Sequence, residues 1–139
     1  MLLAGKCTNS ALFKTTARRT FDFLLSITHK EGQISMISNI GRHGEGQVKR
    51  PFGEQPIEYA YTILALDCFY EEYGENYHLE QLRASFNWFL GDNHLHQIIY
   101  NPCTGGCYDG LEEHHVNLNQ GAESTVSYLL SRLITEKYV

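Results

Sequence analysis

The chain has little positive charge. Its 11 Lys and Arg stand against 16 Asp and Glu, a formal net charge of -5. A phosphate backbone is held by a basic field, and here the only adjacent basic pairs are Arg18-Arg19 and Lys49-Arg50, so no nucleic acid is expected as partner. Any apolar run near the roughly 18 residues that a bilayer span needs is missing as well. Met1-Leu2-Leu3-Ala4-Gly5-Lys6 is too short for a secretory h-region, so the reading is a cytoplasmic protein with no membrane span. Cysteine is scarce: four in 139 residues do not amount to a disulfide scaffold. Cys103 and Cys107 stand close enough to pair under oxidant, and reduced thiols are the expected state. There is no Gly-x-Ser-x-Gly elbow, P-loop or dinucleotide glycine fingerprint, and no cofactor is implied. His94, His96, His114 and His115 share a segment with Cys103 and Cys107, but Cys-x3-Cys followed by His-His lacks a structural-zinc spacing, so no metal is assigned.

What is present is a globular balance, 42% hydrophobic and 19% charged, with nine Tyr and seven Phe. The length fits one domain, residues 1–139. Apolar residues at helical spacing predict a helix over 10–29, with Ser10 as N-cap and Leu12, Phe13, Ala17, Phe21, Leu24, Leu25 and Ile27 along it. Residues 31–54 carry five glycines and no helical period; Ile34, Met36 and Ile40 alternate weakly as in a short strand, and the stretch reads as a long loop. A second helix is predicted over 55–73, with Pro56 in its first turn and apolar residues on nearly every side, hence buried. Gly74 marks a turn. A third helix over 77–90 has Leu79, Leu82, Phe86, Phe89 and Leu90 as its apolar stripe, and Gly91 ends it. A second long loop leads to a fourth helix over 120–136, with Val126, Leu129, Leu130 and Leu133 predicted to face inward.

Two helices open alike: Gln55-Pro56-Ile57-Glu58 begins the second and Gln120-Gly121-Ala122-Glu123 the fourth, 65 positions apart. That spacing predicts an all-α fold of two stacked helical hairpins, with both long polar loops at one end. Function is expected at that end. Glu58 and Glu123 sit where a helix's unpaired N–H groups and dipole favour a carboxylate, so each serves either as a capping-box acid or as a ligand for substrate. Between them lies the densest polar cluster, Thr104-Gly105-Gly106-Cys107-Tyr108-Asp109-Gly110-Leu111, followed by Asn117, Asn119 and Gln120. Glycines let backbone approach a ligand, and carboxylates, amides and aromatic rings are what sugar hydroxyls and ring faces meet, so a carbohydrate cleft is one reading. The other is a tight turn in which Asp109 bonds its own loop and Tyr108 packs. If Asp109 converged with Glu123 or Glu58, a general acid and a base or nucleophile would be in place for glycoside chemistry. The candidate catalytic residues are therefore Asp109, Glu123 and Glu58, and the candidate substrate-binding residues are Gln55, Tyr108, Asn117, Asn119 and Gln120. Trp88, between Phe86 and Phe89, is expected to pack.

At Trp88-Phe89-Leu90-Gly91-Asp92-Asn93, Tyr100-Asn101-Pro102, Thr104 to Leu111 and Asn117-Leu118-Asn119-Gln120-Gly121-Ala122-Glu123-Ser124-Thr125, the chain resembles the helical C-terminal region of a bacterial glycosyltransferase-associated family. That family is similar to the (α/α) toroids of six-hairpin glycosidases and sugar epimerases. The resemblance runs from the first long loop onward and implies a carbohydrate-associated domain linked to glycosyl transfer. Such a domain binds a saccharide or supports a glycosyltransferase domain. The alternatives are a glycosidase- or epimerase-like fragment and a non-catalytic helical interaction module. In the family the first repeat reads Phe-Asp-Gln-Gln-Pro, whereas this chain has Phe52-Gly53-Glu54-Gln55-Pro56; the acid is missing at Gly53. Two hairpins also form only part of a six-hairpin toroid. The flanks left uncovered imply apolar surface shared with another copy, as in a homo-oligomer, or with another chain.

Overall fold

The computed structural model describes residues 1–30, 33–37 and 52–139. Among the described residues five α-helices dominate: α1 (Leu2–Thr8), α2 (Ala11–Thr28), α3 (Pro56–Tyr73), α4 (Asn76–Asn87) and α5 (Ala122–Thr135). Two-residue strands β1 (His29–Lys30) and β2 (Gln33–Ile34) pair antiparallel, as do β3 (Gly110–Leu111) and β4 (Val116–Asn117). The weak alternation at Ile34 thus corresponds to a short strand, while Ile40 lies outside the described residues.

The helix ends follow from local chemistry. Ser10 Oγ accepts from the Phe13 N–H at 3.4 Å and opens α2. Pro56 occupies the first turn of α3, where its missing N–H leaves nothing unpaired. Gly74 closes α3 in the left-handed region, φ 66°, its N–H donating to Tyr70 O at 2.8 Å. After α4 a 3-10 turn, Trp88–Leu90, ends at Gly91 with φ 106°. α1 is an element the sequence reading missed; seven residues give it too short a period, and Asn9 at φ 51° breaks it from α2.

Side-chain contacts show how the helices run. Lys14 near the start of α2 pairs with Glu72 at the end of α3, and Arg18 with Glu75 just beyond it, so α2 and α3 are antiparallel. Tyr59, early in α3, stacks on Trp88 just past α4, which makes that pair antiparallel too. At the far end of α5, Lys137 Nζ and the Tyr138 hydroxyl both donate to the buried carboxylate of Asp67 in α3, at 2.9 and 2.5 Å. α3 and α5 therefore lie side by side in one direction, and both long connections leave from the end where these two helices begin. The core is Tyr59, Ile63, Leu66, Leu82, Trp88, Phe89, Ile99 and Leu111. His78 is buried against Phe21 and Phe69 with neither ring nitrogen hydrogen-bonded, the Glu75 carboxylate standing off at 3.6 Å. Burial holds its imidazole below the ordinary 6.5, although Glu75 pulls it upward.

Two inward assignments are corrected. Leu90 is exposed. In α5 the expected inward stripe points out: Val126, Leu129, Leu130 and Leu133 are 61%, 47%, 37% and 66% exposed. The buried side carries Ser124, Ser127, Tyr128, Ser131, Ile134 and Thr135 instead and packs on α3 and α4. The hydroxyls bury at low cost because Ser131 donates to Ser127 O at 2.7 Å and Thr135 to Ser131 O at 2.8 Å. Ser124 is also turned toward the second long loop by a bond to Asp109, and residues 127, 128, 131, 134 and 135 share its face.

Candidate functional site

The second long loop is tightly paired with itself. Asn101 N donates to Gly106 O at 2.7 Å and Gly105 N to Asn101 O at 2.8 Å, closing a turn whose left-handed position is Gly105, φ 75°. Tyr108 N then reaches Ile99 O at 2.8 Å, and Asp109 N is shared between Asn117 O at 3.1 Å and Asn119 O at 2.8 Å. The loop is also sewn to the first one, since Glu54 N donates to Leu111 O at 3.1 Å and Leu111 N to Glu54 O at 2.9 Å. The segment from Asp109 to Leu111 thereby bridges the starts of α3 and α5.

Asp109 is the polar centre. Its Oδ1 accepts from Gly121 N and Ser124 Oγ, both at 2.7 Å, and its Oδ2 accepts from Asn119 Nδ2. Gly121 is the residue preceding α5, so this carboxylate caps the helix from across the loop, where the positive dipole end favours an anion. Desolvation pushes its carboxyl upward, but the bonds from Ser124, Asn119 and Gly121 outweigh it and hold the group below the ordinary 3.8. The loop glycines are used in the same way. A Cβ on Gly121 would stand 2.9 Å from Asp109 Oδ1, and one on Gly106 would collide with Gln120 Oε1. Their close approach is to the chain's own side chains.

The amides cluster around this carboxylate. Asn117 Oδ1 accepts from Asn119 N at 3.2 Å, and Gln120 Oε1 accepts from the Thr104 hydroxyl at 2.6 Å. Asn117, Asn119 and Gln120 are all exposed, and Tyr108 is half-buried against the core. Glu123 is exposed in the first turn of α5. The structure thus brings Asp109, Asn117, Asn119 and Gln120 together, with Tyr108 and Glu123 at the margins. Gln55 and Glu58 belong to the start of α3, where Glu58 Oε2 accepts from Gln55 N at 2.9 Å in the capping geometry. Glu58 also lines a cavity of about 310 Å³ between α2 and α3, otherwise mostly apolar through Phe21, Leu24, Met36, Ile37 and Ala65.

Sequence reasoning did not identify the role of Glu54. It is 3% exposed, and its carboxylate accepts from Met36 N at 3.0 Å and from the Trp88 indole at 2.9 Å. The Tyr59 hydroxyl lies close by without a well-aligned hydrogen bond. Burial raises this carboxyl above its ordinary 4.5, opposed by the Trp88 and Met36 donors. The position beside Gln55-Pro56 was a signal that the acid sits at a helix start, but nothing local shows that Trp88, 34 residues on, is its partner. Trp88 itself is buried, as expected, and stacks on Tyr59 at 4.0 Å. All four cysteines are unpaired. Cys107 is buried, its thiol donating to Ile99 O at 3.4 Å, and desolvation, aided by Asp109, pushes it up to about 12. Such a thiol is chemically quiet. No described helix is long and apolar enough to cross a membrane. Comparison with protein-family models and with curated proteins finds no match.

Proposed function

We propose that the chain is a non-catalytic, carbohydrate-associated helical domain that binds a saccharide through its long-loop end in support of glycosyl transfer. In this reading α2–α3 and α4–α5 are two hairpins of a partial (α/α) toroid, supported by the alternating helix directions and the shared end from which α3 and α5 begin. The observation that carries the reading is the commitment of Asp109. Both oxygens of Asp109 are taken by donors of the chain itself, so the carboxylate is committed to its loop and to the start of α5 rather than presented to a substrate. Glu58 is engaged in capping α3. What the rigid loop turns outward is a set of amides, each anchored by one atom: Asn117 and Gln120 through Oδ1 and Oε1, Asn119 through Nδ2. Their other amide atoms project from exposed positions and suit sugar hydroxyls, with Thr104 and Tyr108 alongside. A second reading, a helical interaction module, is favoured by the apolar outer side of α5.

A glycan array probed with the parent chain and with Gln120→Ala tests the proposal. Binding of at least one saccharide class by the parent, weakened roughly tenfold in the variant, is expected from losing a well-placed polar contact. A folded parent that binds no glycan contradicts it.

A further inference from the structure

His78, in the first turn of α4, is 1% exposed, yet neither of its ring nitrogens has a hydrogen-bond partner. The cage around it is aromatic. The Phe69 ring of α3 lies 5.5 Å from it, the Phe21 ring of α2 6.4 Å, and Tyr77 meets it edge-on at 5.8 Å. A neutral imidazole leaves one N–H and one lone pair unpaired in such a cage, whereas an imidazolium leaves a charge there, which costs far more. Phe21 and Phe69 also stack on each other at 4.5 Å, so the ring sits at the seam where α2 meets α3 and α4. We propose that this seam is an acid-operated latch, in which protonation of His78 releases α2 from α3 and α4.

The rest of the seam is suited to opening. On one side of Phe21, α2 and α3 are separated by the cavity of about 310 Å³, so tight packing does not hold them there. On the other, ion pairs span the seam: Lys6 and Lys14 to Glu72 at 3.4 and 2.6 Å, and Arg18 to Glu75 at 2.8 Å. Partly exposed pairs of this kind contribute little to stability. Hydrogen bonds from Lys14 and Arg18 hold both acids below the ordinary 4.5, so the pairs stay ionised across the range in which a histidine titrates. Among the described residues the charged groups that face His78 are Glu75 at 3.6 Å, from the start of its own helix, and Arg18 and Asp22 of α2. Glu75 favours the imidazolium, but its two oxygens already accept from the Arg18 guanidinium, both at 2.8 Å. Burial outweighs it and keeps the closed ring's affinity for a proton below the ordinary 6.5. Once α2 moves away, water reaches the ring and the ordinary value returns. The closed seam is therefore fully favoured above 6.5 and weakens as pH falls from 6.5 through the lower value of the closed state. Over that interval the ratio of open to closed rises by up to about tenfold per pH unit.

Amide hydrogen exchange, corrected for its intrinsic pH dependence, reads the opening of each helix separately. Between about pH 7.5 and 5 the protection of α2 should fall in the parent while that of α5 holds. His78→Phe keeps an aromatic ring against Phe21 and Phe69 but takes no proton, so it should make the protection of α2 independent of pH in this range. His29→Gln, at the end of α2, should leave the parent's response intact. Should His78→Phe not fold, the parent itself carries the test: the His78 ring resonance should titrate below 6.5, and the α2 amides should shift along the same curve. A fall in α2 protection that persists in His78→Phe, is lost in His29→Gln or is shared by α5 overturns the proposal, as does no fall at all. A ring that titrates at or above 6.5, or without a response from α2, overturns it too.

Discussion

Replacing Asp109 with Asn preserves the side chain's size and one carbonyl oxygen. That oxygen can still accept from Gly121 N and Ser124 Oγ, but the new amide group meets Asn119 Nδ2, donor against donor. The variant thus loses one charge-assisted bond outright and the charge from two others. Bonds to charged groups contribute about 1.5–3 kcal/mol and a helix cap about 0.5–2 kcal/mol. The loop is partly open to solvent, so the lower part of those ranges applies, about 1.5–2 kcal/mol. An unfolding entropy of about 2.1 cal/mol/K per residue, over a chain of 139 residues, converts that to a melting-point drop of about 5–7 °C. Calorimetry of parent and variant at neutral pH measures it. The pH dependence gives a second readout. Asp109 titrates below its ordinary 3.8 in the folded chain, so the stability it contributes is present above 3.8 and is lost as pH falls through the folded value. The gap between the two melting points should therefore narrow on acidification below 3.8. A variant that melts within about 1 °C of the parent at neutral pH would refute the capping role.

Other substitutions probe the frame that holds the loop. Glu54→Ala leaves the buried Trp88 indole and Met36 amide without an acceptor and should cost about 3 kcal/mol, read as a denaturant midpoint. Because burial raises the Glu54 carboxyl, the folded chain binds its proton more tightly than the unfolded one. The parent should accordingly lose stability relative to Glu54→Gln as pH rises from 4.5 through the folded value. Gly74→Ala meets open space but must adopt φ 66°, so a cost of about 1 kcal/mol is expected from backbone strain alone. Tyr138→Phe removes one of the two donors on buried Asp67 and should cost about 1 kcal/mol in chemical denaturation.

α2, α3 and α4 were legible because their ends carry local signals, Ser10, Pro56, Gly74 and Gly91 each acting within a turn of its own position, and α5 was legible from its helical period. The direction in which α5 faces was not. Periodicity groups Val126, Leu129, Leu130 and Leu133 on one side, and the group of largest side chains is the natural choice for the interior. Here the choice was made by Asp109 binding Ser124 15 positions away and by hydroxyls that satisfy their own helix carbonyls. The candidate site was legible in composition and not in its wiring. Asp109, Asn117, Asn119 and Gln120 do meet, yet the sequence left open whether the carboxylate served a ligand or its own backbone. That depends on Gly121 N lying 2.7 Å away, a distance set by how the loop pairs with Glu54. The reading of loop glycines as room for a ligand differed for the same reason: at Gly106 and Gly121 the space is taken by Gln120 and Asp109.

Amide chemical-shift mapping during titration with a glycan reads directly whether the amide-bearing face of the second long loop receives a saccharide without catalysis. Saturable shifts concentrated at residues 104–121, no turnover of the glycan, and loss of the shifts in Asn117→Ala and Gln120→Ala variants that keep the parent's circular dichroism spectrum are expected. Shifts confined to other elements, or none with any saccharide class, would contradict it.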